Sequence, residues 1–545
     1  MKKICNLLIC LFISSIFLIS CNDMLGVDSQ RLLNEKEYGH SPNDAMYSTF
    51  GVLSQLQKLA DSYVLLGELR GDLMNTTDLS DVSLNEINNF AITGTNSYVN
   101  INNYYAVINN CNYIIQNLDS TVVVKGEKMQ LEQMAAIKSI RAWTYMQIAL
   151  NFKTTKYSDK AILTVEDSKK VYPEYDIQAL ADVLIADLLP LQDVPFQNLG
   201  SVGSYNTSYS YFPIRFLLGD LYLWKGDYQN AATEYHDLMY KYWMTIDKAN
   251  TSSWGVTNNV ISNSINSLSW INSFTPFNAE VLTTITCPTE YGQRFDLDSL
   301  NYQHKIVPST IALSNWMNQT YYLNEASNTQ GDLRLYGSIW WKNTNVTNDL
   351  TNNTTSGNVT TNPYIIYKYV AYNQNVVIYR SSLLYLRYAE AVNRLNKPNL
   401  AFAVLKYGLN STNMYNTKII PANEKDASAT YMDFSNVRFS NNVGIRMRGL
   451  GAMDKDTTYF TLKKQNTMND SVLYVEDLIQ KELALETAFE GNRFQDLMRI
   501  ALRRIKNGEG DASYLANPVS AKHVGNESAI KTLLMNTDNW YIKKQ

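Results

Sequence analysis

The densest run of chemistry-bearing residues lies near the C-terminus, where Glu482, Glu486, Glu490, Arg493, Asp496 and Arg499 recur at spacings of three and four. On a helix such spacings gather carboxylates and guanidiniums on one face, where they either pair as ions or offer two carboxyl groups as general acid and base. Ion pairing is the commoner use of these residues at helical spacing, and it is the reading adopted for this run. Asp296 and Asp298 form a second acidic pair, but a glycoside hydrolase needs its carboxyls across a cleft and no acid motif surrounds these two. The chain is therefore not expected to be an enzyme. The four histidines, His40, His236, His304 and His523, lie far apart, and there is neither a CxxC motif nor an EF-hand loop. No zinc site or cofactor is expected; a structural calcium assembled from distant carboxylates stays open, because spacing does not report on it.

The other residues able to bind something are aromatic. The chain has 38 Tyr and 9 Trp, and asparagine makes up roughly one residue in nine, well above ordinary usage. Flat rings stack on the C–H faces of sugars, and amides both donate to and accept from hydroxyls, so this composition suits carbohydrate contact. Formal charge is only −4 and lysine and arginine form no cluster, which argues against nucleic acid as a partner. Hydrophobic residues are 45% and charged residues 18% of the chain, enough to bury a core and too apolar for global disorder.

Positioning these side chains requires a scaffold, and the periodicity is helical. Residues 1–20 read as a leader: Lys2 and Lys3 precede an apolar stretch that closes on Leu18-Ile19-Ser20-Cys21, which resembles a bacterial lipobox with Cys21 as the lipidated residue. Residues 21–40 are a polar tether. Ser41-Pro42-Asn43-Asp44 opens a helix running to about Tyr63, and further helices are expected over 97–118, 128–151 and 176–189. Over 213–243, Gly219, Tyr222, Gly226, Tyr228, Ala231 and Tyr235 have the spacing of a tetratricopeptide-like helix pair, and Ala389 and Ala401 repeat the 12-residue separation of Gly219 and Ala231 over 383–410. A third, degenerate copy begins at Ala142 and Tyr145. Two helical regions, 41–243 and 379–545, thus flank an insertion at 244–378, expected to be irregular with short strands such as Ile365 to Tyr372. The insertion holds Trp254, Trp270, Trp316, Trp340 and Trp341, which makes it the place to seek a ligand surface. Cys111 falls on an apolar helical stripe and is expected to be a buried thiol; whether it pairs with Cys287 is open.

The run Glu482-Leu483-Ala484-Leu485-Glu486-Thr487-Ala488-Phe489-Glu490-Gly491-Asn492-Arg493-Phe494-Gln495-Asp496-Leu497-Met498-Arg499 resembles the hallmark of the SusD/RagB family of Bacteroidetes glycan-binding lipoproteins. Arg141-Ala142-Trp143-Thr144-Tyr145, Tyr385-Leu386-Arg387-Tyr388-Ala389-Glu390-Ala391 and Asn539-Trp540-Tyr541-Ile542 are similar to other family elements, so the resemblance covers nearly the whole chain. Leu483 departs from the pattern, which has an arginine there. The resemblance implies a mainly α fold of tetratricopeptide-like pairs with long irregular insertions and a few short strands. It also implies an outer-membrane lipoprotein that captures oligosaccharide or polysaccharide without cleaving it and passes it to a SusC-like TonB-dependent barrel. A peptide or other nutrient as ligand, or a repeat scaffold for protein assembly, are the alternatives. Carried over by position, the expected sugar contacts are Asp72, Asp78 and Tyr98 after the first helix, and Trp270, Tyr291 and Trp316 in the insertion, with Trp340 and Trp341 behind them. Each has a competing use: a large aromatic fills a core as readily as it meets a ligand, and Asp72 could cap a helix.

Overall fold

The computed structural model describes residues 42–544 apart from 124–125, 127, 199, 203–204, 243, 247–255, 258–259, 262–279, 287–295, 325–326, 342–363 and 372–374. Cys21 and the leader lie outside the described residues, as do Trp254, Trp270, Tyr291 and Cys287. Among the described residues there are 21 α-helices, and every sheet has only two strands, all antiparallel. No described helix is long and apolar enough to cross a membrane.

Helices form where apolar stripes and caps coincide. Asp176 and Asn100 each accept a backbone N–H at the start of Ile177–Leu188 and Ile101–Gln116. The expected first helix is interrupted at Lys58 and Leu59, giving Pro42–Gln57 and Ala60–Glu68. Ile214–Lys225 stops at Gly226, whose φ of 85° suits glycine, and Tyr228–Tyr242 returns antiparallel. Their close approach depends on Gly219, where an added Cβ would lie 2.3 Å from the ring of Tyr235. Ser381–Arg394 and Pro398–Lys406 make the second pair, with Ala389 and Ala401 fully buried.

These helices stack in a single row. Ile101–Gln116 packs on Met129–Phe152, that helix on Ile177–Leu188, and the next contacts run through Ile214–Lys225, Tyr228–Tyr242 and Ser381–Arg394 to Pro398–Lys406. The partner of the degenerate copy is thus Ile177–Leu188, displaced by a hairpin of Thr154–Lys156 with Glu174–Asp176. Although 138 residues separate Tyr242 and Ser381, the helices they bound are neighbours, so the row runs on as though the insertion were absent.

Among the described residues the insertion carries short strands and short helices. Val281–Thr286 pairs with Asn375–Arg380 at its base, and short helices at Leu297–Tyr302 and Thr310–Met317 follow. The expected strand from Ile365 to Tyr372 is only Tyr364–Ile366, which pairs with Ile339–Trp341 before the chain turns into a helix, Tyr367–Ala371.

Candidate functional site

The acidic and basic residues of the 482–499 run form ion networks sealed from solvent. Glu486 accepts from Arg334 at 2.9 Å, Arg380 at 2.9 Å and Arg448 at 2.7 Å. Burial would push its carboxyl up, but the three guanidiniums hold it well below the usual carboxylate range. Arg380 also reaches Glu490 at 2.7 Å, which takes Lys368 at 2.6 Å. A second network joins Glu390 to Arg499 and Arg503, Asp496 to Arg387 and Arg499, and Glu476 to Arg394 and Arg504. Neutralised and buried in this way, these carboxylates have no access to a substrate, so the run ties elements together. Glu486, Glu490 and Arg493 do not pair with one another across the turn. Glu486 and Glu490 share Arg380, while Arg493 turns to the N-terminal region.

Its partner there is Asp72, whose two carboxylate oxygens accept from Arg493 Nε at 2.6 Å and Nη2 at 2.9 Å. Asp72 is 2% exposed, so its assignment as a sugar contact is overturned: a two-pronged guanidinium pair occupies both oxygens and seals them. Asp81, not Asp72, is the helix cap of this region, accepting from Leu84 N at 3.0 Å to start Val82–Asn88. Trp316 is overturned too. It lies on a helix, 0% exposed, with its indole N–H on Leu485 O at 3.1 Å and its ring 5.9 Å from that of Phe489. Burial of so large a ring packs the 482–499 run and leaves no face for a ligand.

What reaches solvent is a ledge built from two segments distant in sequence. Met74–Thr76 pairs antiparallel with Ile306–Pro308, fixing the base of both. Beyond it Thr77 Oγ1 donates to His304 O at 2.5 Å and Ser80 Oγ to Lys305 O at 2.6 Å, so residues 77–80 run alongside 304–305. Asn96 folds the rest of the first segment back, donating to Ser83 O at 2.9 Å and Glu86 at 2.8 Å. On this ledge Asp78 is exposed, Tyr98 is half-buried, and Leu79, Val82 and Tyr302 are 61%, 74% and 52% exposed. Carboxylates gather around Tyr98. Burial first, then the charges of Asp81, Asp296 and Asp61, push its phenol well up. Asp61 is itself pushed up to about 7, by burial foremost and by the neighbouring charges of Asp296 and Asp298, against the N–H groups of Asp296 and Leu297.

The structure thus brings Asp78 and Tyr98 into one surface with residues 296–305 of the insertion, and adds Tyr302 and Leu79, which the sequence reading missed. Periodicity carried no signal for Tyr302: Asp298, one turn before it on the same face, is buried together with Leu297, Leu300 and Asn301, while Tyr302, the last residue of the helix, is exposed. Trp340 and Trp341 pair through their backbones with Ile365 and Tyr364. Asp296 is exposed and Asp298 buried at the start of one short helix, which does not place two carboxyls across a cleft. Among the described residues no group of three or more acidic, histidine or cysteine side chains could hold a metal ion. Cys111 is buried.

No family model matches the chain, and no curated protein matches it in sequence. Solved structures do match in fold. A SusD superfamily protein from Bacteroides vulgatus aligns with TM-score 0.56 at 16% identity over 88% of this chain and 92% of that one. A SusD-like carbohydrate-binding protein from Bacteroides fragilis gives 0.56 at 13% identity, covering 86% and 88%. The surface glycan-binding protein A from Bacteroides fluxus gives 0.53 at 15% identity, covering 87% and 92%.

Proposed function

From a chain with the SusD-like fold, we propose a non-catalytic surface glycan-binding lipoprotein, tethered to the outer membrane through Cys21, that captures oligosaccharide or polysaccharide for a TonB-dependent barrel. The observation that carries the reading is the ledge. Two tyrosines and exposed apolar side chains lie among carboxylates and amides there, while the acids of the 482–499 run are locked in ion pairs and have no catalytic access. Rings would stack on sugar faces, and Asp78 would accept from hydroxyls. Trp270 and Tyr291 belong to the proposal as further contacts from the insertion. Open sugar platforms bury little area, and hydroxyls must shed water, so affinity should be modest.

Calorimetric titration with the glycan selected on an array tests this. Tyr302→Ala should weaken binding by about tenfold, equivalent to ~1.4 kcal/mol, without lowering the thermal midpoint. Unchanged affinity in Tyr302→Ala and Asp78→Ala together would remove the ledge as the site. Release of reducing ends from polysaccharide beyond stoichiometry would favour an enzyme instead.

A further inference from the structure

One nine-residue helix touches both the ledge and the 482–499 run. At the start of Ala60–Glu68, the Asp61 carboxylate accepts the Asp296 N–H, 3.0 Å from each oxygen, and Ser62 Oγ donates to Tyr98 O at 2.5 Å. Both halves of the ledge are therefore held by its first turn. At the other end, Glu68 accepts from the backbone N–H of Phe489 at 3.1 Å and of Gly491 at 2.8 Å. Phe489 and Gly491 both have positive φ, 68° and 84°, which turns their N–H groups inward into a concavity that suits a carboxylate. Tyr63 adds a hydrogen bond to Asn492 at 3.1 Å, and Gly67 packs so closely that an added Cβ would lie 1.9 Å from Gly491 O. A helix of this length spans ~13 Å and, being rigid, transmits position from one end to the other.

Resting on the glycan-binding reading, we propose that Ala60–Glu68 is a strut that sets the position of the ledge and that Glu68 is its positioning residue, anchoring the strut in the turn at 489–491. Glu68 does not touch ligand. It acts by fixing where Asp61 and Ser62 hold Asp296 and Tyr98. The strand pair Met74–Thr76 with Ile306–Pro308 keeps the base of the ledge in place on its own, so loss of the anchor loosens the outer part and leaves the scaffold folded.

Hydrogen exchange on the full chain reads this directly, compared among wild type, Glu68→Ala and Glu68→Gln. In Glu68→Ala, amides of 77–98 and 296–302 should exchange about fivefold faster while those of Ile214–Tyr242 keep their wild-type rates. Affinity for those members of a panel of soluble starch, inulin, arabinan and yeast mannan that bind wild type should fall by about fivefold. Glu68→Gln retains an acceptor oxygen and should restore both readouts most of the way. Acceleration confined to 486–494, or a loosened ledge with unchanged affinity, overturns the proposal. If Glu68→Ala loses protection everywhere, Ser62→Ala, which leaves the 482–499 run untouched, must still speed exchange around residues 96–100, and failure there overturns it. A wild type that binds none of the panel counts against the glycan reading, while the exchange result still decides the strut.

Discussion

At the scale of single residues, burial separates side chains that composition treats alike. Trp316 and Tyr302 are both large aromatics of the insertion, yet one is sealed beneath the 482–499 run and the other stands in solvent. Trp316→Ala should therefore cost ~3–5 kcal/mol through the lost ring and the cavity left behind, seen as a large fall in the thermal midpoint. Asp72 and Asp78 divide in the same way. Asp72→Asn leaves Arg493 with its bonds to Gln480 but without its ion-pair partner, and should destabilise by ~3 kcal/mol, whereas Asp78→Asn should leave the midpoint unchanged. Glu68 adds a pH dependence: burial pushes its carboxyl up from 4.5 to about 7, against the N–H groups of Gly491, Phe489 and Arg493. The folded state then holds a proton that the unfolded chain has released, so this contribution is full below pH 4.5 and is lost as pH rises through about 7. Burial lowers His523 to about 4, which acts in the opposite direction, so the comparison to make is wild type against Glu68→Gln. Across that range wild type should lose ~3 kcal/mol relative to the variant, measured by chemical denaturation at stepped pH.

At the scale of elements, the helix pairs depend on small residues for two different physical reasons. Gly226 ends its helix at φ 85° with only ordinary contacts around an added Cβ, so Gly226→Ala should cost ~1 kcal/mol from backbone strain alone. Gly219 sits mid-helix in normal conformation, but its added Cβ would collide with Tyr235, which is held by a 2.6 Å bond from its hydroxyl to Asp220. Gly219→Ala should therefore cost more, up to ~3 kcal/mol, and thermal unfolding of the two variants side by side checks the order.

At the scale of the molecule, the row of helices and the insertion are joined through buried charge. Arg334 and Arg380 come from the insertion and its closing strand, Arg448 from a later short helix, and all three converge on Glu486. Glu486→Gln removes the charge they share and should destabilise by ~1–3 kcal/mol, because each guanidinium loses its bond to Glu486 but keeps another carboxylate, Arg334 with Asp332 and Glu482, Arg380 with Glu280 and Glu490, and Arg448 with Glu280. Limited proteolysis should show the earliest new cuts between residues 280 and 341. Retention of wild-type resistance there would show that the helix row holds the insertion without this charge.

Much of the scaffold was legible in the chain. Apolar periodicity, small residues 12 apart, a stop signal such as Gly226 and a start signal such as Pro398 act over a few turns, so the helix pairs and the ion-pairing character of the 482–499 run follow from local spacing. Its partners do not. Asp72 meets Arg493, and Trp316 meets Leu485, across hundreds or scores of residues, and no periodicity encodes such a distance. The ledge is the same case: residues 77–80 and 304–305 come together only because two short strands pair and a nine-residue helix braces them. Residue type could propose which rings and acids might bind a ligand, but exposure is a property of the packed whole, and packing alone decided that Tyr302 faces solvent and Trp316 does not.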